Sequence, residues 1–472
     1  MKILFVTSEA TPFAASGGLG DVMGALPVAC REQNHEVSVI MPLYSSVKEE
    51  HRSKMEYLCD IEFNLSWRRT GCTVYKLLYK DVKYLFVENH YYFDRKGLYG
   101  EHDDIERFAF FSRAVLEYML TSADIPDILH ANDWQSAASV VYLKTEYSSI
   151  EALSSVKAVY TVHNIEYQGW FSQYQLGDIF GIDSRYSSIL EHGGALNLMK
   201  GALLLSDLVT TVSPGYSREL EYDFFSFDMS SVIKSISHKM HGIINGIDYD
   251  YFSPDKGGDI DFPFTRSTLK RGKAKNKASL QSELGLEVRE EVPLMVMITR
   301  LTATKGVDLV LHVLEEILDE DIQLVLLGTG DVEYEQRFSE IASKRDNFKA
   351  LIKFDRAISK KMYASADLFL MPSKSEPCGL AQMIACSYGT VPIVRSVGGL
   401  GDTIIPYGEK GANGFRFDNY NAHEMLYAIK YALSIYKNTD KWAALRRSAI
   451  SSDFTWNRSA EKYIRLYNEL VK

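Results

Sequence analysis

The sequence predicts an α/β protein made of two doubly wound domains. Three observations lead there: short apolar runs alternate with helical patterns, the alternation breaks once and resumes, and 472 residues suffice for two full-sized cores. The runs are continuous and rich in β-branched residues, as expected of strands buried on both faces of a parallel sheet.

In chain order the first series reads KILFVTS, EVSVIMP, VKYLFVEN, DILHAND, KAVYTVHN and DLVTTVS. The opening MKILFVTSEA meets Glu9 before an apolar segment of leader length, so it reads as a first strand. No later run approaches the ~18 apolar residues of a membrane helix, and a cytoplasmic protein without membrane contact is expected (plastidic in a plant). The series stops after GIINGIDYDYFSPD, and the polar, basic stretch from Lys256 to Lys277 reads as an interdomain connection. A second series follows: PLMVMITR, IQLVLLGTG, ALIKFD, ADLFLMPS and TVPIVRSV. In the last segment Ala460, Tyr463, Ile464, Tyr467 and Leu470 share one helical face. The expected domains are 1–244 and 245–455, with the helix 456–472 returning to pack on the first.

Charge and cysteine usage narrow the function. Lys and Arg number 52 against 62 Asp and Glu, so the net charge of −10 argues against nucleic acid, and any phosphate site must be a local concentration of cations. The five cysteines are scattered and lack zinc or redox spacing, which fits a reducing compartment.

The five residues GGLGD occur twice, at Gly17–Asp21 and Gly398–Asp402, each between a predicted strand and a predicted helix. Helix starts offer unpaired N–H groups, and glycine lets a ligand approach the backbone. A dinucleotide fingerprint would need a third glycine where Met23 and Ile404 stand, and no P-loop string exists. Tight structural turns remain an open reading for either copy.

The second half holds a phosphate-binding constellation. Arg300 and Lys305 follow PLMVMIT, in the loop where an open α/β sheet binds ligands. After ADLFLMPS, Glu376-Pro377 turn the chain and Cys378-Gly379-Leu380 begin a helix, so their amides would face an anion. Glu376 beside that anion hole would face neutral hydroxyls, as on a sugar attached to a diphosphate, or serve only as a helix-start carboxylate.

These residues, with GGLGDV, HANDWQ, TVHNIEYQGWF, INGID, TRLTATKG, EPCGLAQM and GGLGDT in this order, closely resemble bacterial glycogen synthases and plant starch synthases. The resemblance covers essentially the whole chain. It implies the GT-B fold, two Rossmann-like domains facing across a cleft. It also implies retaining transfer of glucose from ADP-glucose, or UDP-glucose in some relatives, to the nonreducing end of an α-1,4-glucan, without a metal or other cofactor.

By the same resemblance Arg300 and Lys305 bind the diphosphate, Glu376 holds the transferred glucose, and Cys378, Gly379 and Leu380 lend amides. Phe354 stands where a tyrosine usually meets the base. His163 and Asn164 are expected beside the reacting sugar, Asp133 and Trp134 on the acceptor side, and Asn245 near the domain junction. Gly18 and Asp21 would approach phosphate and sugar as the cleft closes, while the loop from Gly398 to Thr403 shapes the nucleotide pocket.

The chain departs from the family where Ala15-Ser16 replace a common Lys-Thr, where Ile384 replaces a second glutamate of the broader superfamily, and at Thr304. The missing lysine shifts charge onto Arg300 and Lys305. Two D-x-D pairs, Asp248/Asp250 and Asp259/Asp261, would suit a metal-dependent transferase, but surface and turn roles fit their position better. A glucan-binding scaffold remains the non-enzymatic alternative, since 29 Tyr and 23 Phe could stack on sugar rings.

Overall fold

The computed structural model describes residues 1–256 and 258–472, which divide into two compact units. Unit 1 comprises Met1–Gly246 and Trp456–Lys472; unit 2 comprises Ile247–Thr455. Asn245 and Gly246, expected in the second domain, therefore belong to the first.

In chain order unit 1 has strands β1 (Lys2–Val6), β2 (Glu36–Pro42), β3 (Glu56–Leu65), β4 (Arg68–Tyr79), β5 (Val82–Glu88), β6 (Ile128–Asn132) and β7 (Lys157–Val162). A small three-stranded sheet follows, β8 (Trp170–Phe171), β9 (Glu191–His192) and β10 (Ala195–Asn197), then β11 (Leu208–Thr211) and β12 (Met240–Gly242). The main sheet runs β12-β11-β7-β6-β1-β2-β5-β4-β3, parallel up to β5 and closed by the antiparallel hairpin β3–β4. Its order reverses between β6 and β1. Val6 lies opposite Ala131, and Ala131 opposite Tyr160, so the chain leaves β1, β6 and β7 side by side at one edge.

The last helix, Trp456–Val471, buries Ala460, Tyr463, Ile464 and Tyr467 and packs against the helix Gly18–Glu32. Leu470, predicted on the same face, is only half-buried. A polar chain anchors this helix to the sheet: His130 Nδ1 meets the Tyr467 hydroxyl at 2.6 Å and its Nε2 meets Thr161 Oγ1 at 2.6 Å. Complete burial of His130 disfavours the imidazolium and pushes its pKa down to about 3.

Unit 2 holds β13 (Leu294–Ile298), β14 (Gln323–Leu327), β15 (Phe348–Leu351), β16 (Leu368–Met371), β17 (Val391–Arg395) and β18 (Phe415–Phe417). The sheet is parallel throughout in the order β15-β14-β13-β16-β17-β18 and reverses between β13 and β16. Met295, Leu326, Leu370 and Ile393 from the strands pack with Leu314, Ile317, Met425 and Ile429 from the helices. Helix starts are capped in the expected way: Asp355 accepts from Ile358 N, and Asn421 from His423 N and Glu424 N.

The stretch from Lys256 to Lys277 is not a linker, although Gly257 within it lies outside the described residues. Its second half starts the helix Leu269–Glu283, which packs in unit 2 against the helix Arg356–Ser365. Lysine content misled the sequence reading, because Lys273 and Lys277 are buried and solvated by the protein. Lys273 Nζ donates to Tyr363 O, Tyr388 O and Thr390 Oγ1, and burial holds its pKa well below the ordinary lysine value. Lys277 Nζ donates to Asp367 Oδ2 at 2.8 Å and to Glu290 O and Val292 O, while Asp367 also accepts from Leu294 N at 3.1 Å.

Removing one member of a buried ion pair strands the other. Asp367→Ala is therefore expected to cost about 3–5 kcal/mol. Chemical denaturation checks this, with Lys277→Met/Asp367→Ala recovering much of the loss; a cost near zero for the single variant would contradict the assignment.

Candidate active site

Each unit gathers polar groups where its strand order reverses, at the carboxyl ends of the strands, the usual ligand edge of an open parallel sheet.

In unit 2 the loop after β13 carries Arg300 and Lys305, and the loop after β16 carries Glu376. Lys374 N donates to Thr304 O at 2.9 Å, tying the two loops together. Lys305 Nζ lies 2.7 Å from Glu376 Oε2, which also accepts from Ser373 Oγ at 3.1 Å. The cation assigned to phosphate and the carboxylate assigned to sugar are thus direct partners. Arg300 is exposed, and its guanidinium makes no hydrogen bond or ion pair among the described residues.

Beyond Glu376 the chain bends through Gly379 at φ +73° to Leu380, which precedes the helix Ala381–Ser387. The N–H groups of Gly379 and Leu380 have no acceptor among the described residues. The Cys378 side chain is buried and its carbonyl accepts from Gln382 Nε2 at 3.1 Å, consistent with a backbone role. Phe354, just past β15, is 81% exposed, with the Arg356 guanidinium over its ring at 5.9 Å from the centroid.

The second GGLGD copy is a packing element. Gly398 adopts φ +45°, and a Cβ there would meet Glu376 O at 2.1 Å; one on Gly399 would meet Cys378 O at 2.1 Å. Gly399 N donates to Glu376 O and Pro377 O, so this loop braces the Glu376–Cys378 turn from behind. Thr403 is buried, and its hydroxyl donates to Gly399 O at 2.6 Å and accepts from Gln382 Nε2 at 3.1 Å. That hydroxyl is committed to the brace and is not offered to a nucleotide. The first copy differs, for a Cβ on Gly17 or Gly18 would meet nothing within 4 Å. The fold makes no steric demand for those glycines, and Gly18 and Asp21 lie exposed at the helix start.

In unit 1 the groups leave β6 and β7. Asp133 has φ 55° and ψ 179°, a conformation close to glycine-only territory that costs on the order of 1–3 kcal/mol for other residues. It turns the carboxylate to accept from His163 N at 2.7 Å and Asn164 N at 3.4 Å. Trp134 follows as the first helical residue, its ring edge-on to Phe108 at 5.2 Å. The Asn132 amide donates to Val6 O and His130 O, which directs its Oδ1 toward His163 Nε2 at 3.0 Å. Since that oxygen only accepts, His163 carries its proton on Nε2 and keeps Nδ1 as an acceptor. Burial pushes the His163 pKa down to about 3, so the ring is neutral near pH 7. Asn245 is buried in unit 1 with its Oδ1 unpartnered among the described residues.

Sequence reading missed Glu9. It leaves β1 beside these groups and is buried, accepting from the N–H groups of Ser16 and Gly17 and from the Tyr99 hydroxyl at 3.0 Å. It thereby fixes the loop in front of the first GGLGD. A glutamate immediately after a buried strand was the available signal. Burial raises its pKa, against the pull of the Ser16 N–H.

The D-x-D pairs are spent locally. Asp248 accepts from Asp250 N and Tyr251 N, Asp250 pairs with Lys256, Asp259 with Lys360 at 3.1 Å, and Asp261 with Lys361 at 3.4 Å. All five cysteines are free thiols, and among the described residues no helix is long and apolar enough to cross a membrane.

Two Rossmann-like units, each with polar groups at its carboxyl edge, match the architecture of GT-B glycosyltransferases. At 17% identity and a TM-score of 0.62, a sucrose-phosphate synthase from Thermosynechococcus elongatus shares the fold, over 99% of this chain and 98% of its own. The catalytic domain of starch synthase IV from Arabidopsis thaliana, bound to ADP and acarbose, superposes with a TM-score of 0.90 at 34% identity over 100% of this chain and 99% of that one. The family described as starch synthase catalytic domain matches residues 2–235, and glycosyl transferases group 1 matches residues 285–448. Glycogen synthases from Clostridium botulinum and Streptococcus pneumoniae are each 43% identical over 100% of this chain and 99% and 100% of their own length. The chain belongs to the glycogen synthase and starch synthase family of hexosyltransferases, and its function is that of a glycogen or starch synthase.

Asp133 gives a pH test. Burial pushes its carboxyl from 3.8 up to about 7, the His163 and Asn164 N–H groups pull the other way, and Glu9 adds to the rise. Between those values the folded protein keeps a proton that the unfolded chain has lost, so this group makes stability fall as pH rises toward 7. Denaturation of wild type and Asp133→Asn at about pH 5 and about pH 8 should show wild type losing ground at the higher pH. An unchanged gap would contradict the shift.

Proposed function

We propose that the chain extends the nonreducing end of an α-1,4-glucan with glucose from ADP-glucose, retaining the anomeric configuration and needing no metal, in the cytoplasm. One observation carries this reading: Arg300, the Lys305–Glu376 pair and the unpartnered N–H groups of Gly379 and Leu380 share one sheet edge in unit 2. Two cations and two amides suit a diphosphate, and a carboxylate held by Lys305 suits sugar hydroxyls. Phe354 would stack on the base, and Asn245 would bind near the nucleotide sugar.

In the proposed step the acceptor 4-hydroxyl oxygen bonds to the glucose C1 on the face that the departing phosphate leaves. The C1–O bond to phosphate breaks with its electron pair going to the β-phosphate, and the hydroxyl proton passes to that oxygen. Arg300 and Lys305 stabilise the growing negative charge, and Glu376 orients the sugar near its 3-hydroxyl. In unit 1 neutral His163 accepts a sugar hydroxyl at Nδ1, and Asn164 and Asp21 add polar contacts. Gly18 leaves room for phosphate, while Asp133 and Trp134 support the acceptor side. The Asp133 strain and its grip on the His163 amide favour that positioning role.

Nucleotide release with glycogen present tests the donor. ADP-glucose should be used in preference to UDP-glucose, with an α-linkage by NMR and full activity in EDTA. Glycogen binding without nucleotide release from either donor would establish the scaffold alternative. Arg300→Ala should lower kcat about 100-fold at saturating donor, the scale for losing one charge-stabilising group, with the KM for glycogen little changed. Near-normal turnover would remove Arg300 from the mechanism.

A further inference from the structure

Unit 2 carries a second feature outside these loops. At its edge strand β18 a cavity of about 570 Å³ opens between the Pro406-Tyr407 turn and the helix Ala422–Tyr436. That volume is in the range of ligand pockets, roughly 300–1,000 Å³. Nothing in the proposed transfer uses it.

Its floor is a cluster of packed aromatic rings. Tyr407 stacks on Phe415 with centroids 5.7 Å apart, and Tyr431 meets both rings edge-on at 6.0 and 5.7 Å. One turn earlier on the same helix face, Tyr427 is 74% exposed, and Tyr431 itself is 41% exposed. The hydroxyls of Tyr407, Tyr427 and Tyr431 have no hydrogen-bond partner among the described residues. Large rings held open to water with free hydroxyls suit a ligand that offers both a C–H face and hydrogen-bonding groups.

The charges around the rings select against an ion. Arg416 lines the cavity, donates its Nη1 to Gly401 O at 2.9 Å and has a buried Nε without a partner among the described residues. Asp418 and Glu424 line it too, so two carboxylates stand beside one guanidinium and charges of both signs meet there. Glu424 is itself occupied, accepting from the backbone and side chain of Asn419. A neutral polyhydroxyl ligand fits this surface better than a phosphate or a basic peptide.

We propose that this cleft is a second glucan-binding site, in which Tyr427 and Tyr431 stack on consecutive glucose rings of a polymer and keep the enzyme on it. The proposal rests on the reading of an α-1,4-glucan as acceptor. A polymer held at a second point raises the local concentration of chain ends, whereas a short oligosaccharide gains nothing from it.

Co-sedimentation with glycogen in the absence of nucleotide-sugar tests the site with Tyr427→Ala, Tyr431→Phe and Tyr427→Ala/Tyr431→Ala. Losing one stacked ring is expected to weaken glycogen binding about 2- to 10-fold, and losing both to weaken it further. Tyr431→Phe, which keeps the ring, should bind nearly as wild type. The KM for glycogen should rise in parallel, with kcat and the KM for a short maltooligosaccharide unchanged.

Unaltered glycogen binding in the double variant overturns the proposal. So does a parallel loss on the short oligosaccharide, which would place the cleft in the catalytic or folding machinery. A changed sedimentation coefficient in the variants would make it a surface between copies of the chain and overturn it equally. Failure of wild type to sediment with glycogen or release nucleotide would instead bring down the acceptor reading itself.

Discussion

Parallel strand pairing is the constraint on which the rest depends. A parallel sheet sends every strand's last residue to the same edge, and a reversal of strand order opens a crevice there. Here the reversal occurs at β6/β1 in unit 1 and at β13/β16 in unit 2. The register then does the placing: Val6 beside Ala131 beside Tyr160 brings Glu9, Asp133 and His163 out together, and Val296 beside Phe369 brings out the Arg300 and Glu376 loops. Few of these residues are close in sequence, and none needs a special local conformation to meet its neighbours except Asp133.

The electrostatics at the two edges differ. Unit 2 presents cations, one exposed and one matched to a carboxylate, with open amides beyond them. Unit 1 presents groups that burial drives toward neutrality, with His163 pushed down to about 3 and Asp133 up to about 7. A charged diphosphate suits the first edge and an uncharged glucan suits the second. The Lys305–Glu376 contact balances the lysine's charge when no anion is bound, as the proposed diphosphate site requires. With Ala15 in place of the lysine that the family resemblance leads one to expect, the proposed diphosphate site relies on Arg300 and Lys305 for its positive charge.

Much of this was legible in the sequence because fully buried parallel strands leave continuous apolar runs, and the residue after such a run is at the ligand edge. Arg300 and Glu376 were found that way, whereas the roles expected of Asp133 and His163 came from the family resemblance. The hairpin β3–β4 escaped because its residues are mostly part-exposed, so EYLCDIEFNL shows alternation without a continuous run. The helix Leu269–Glu283 escaped because its buried face includes lysines satisfied by carbonyls and Asp367. Identical pentapeptides cannot reveal that one braces Glu376 from behind while the other leaves its first two glycines facing open space; that difference is made by the loops around them.

In the proposed reaction the β13/β16 edge holds a nucleoside diphosphate through Arg300 and Lys305. Calorimetric titration of ADP and AMP into wild type and Arg300→Ala/Lys305→Ala tests it most directly, since the two ligands differ by the phosphate those cations are assigned to hold. Wild type should prefer ADP by about tenfold or more, the scale of one charge-assisted contact, and the variant should lose that preference while still binding glycogen. An undiminished preference for ADP in the variant would contradict the account.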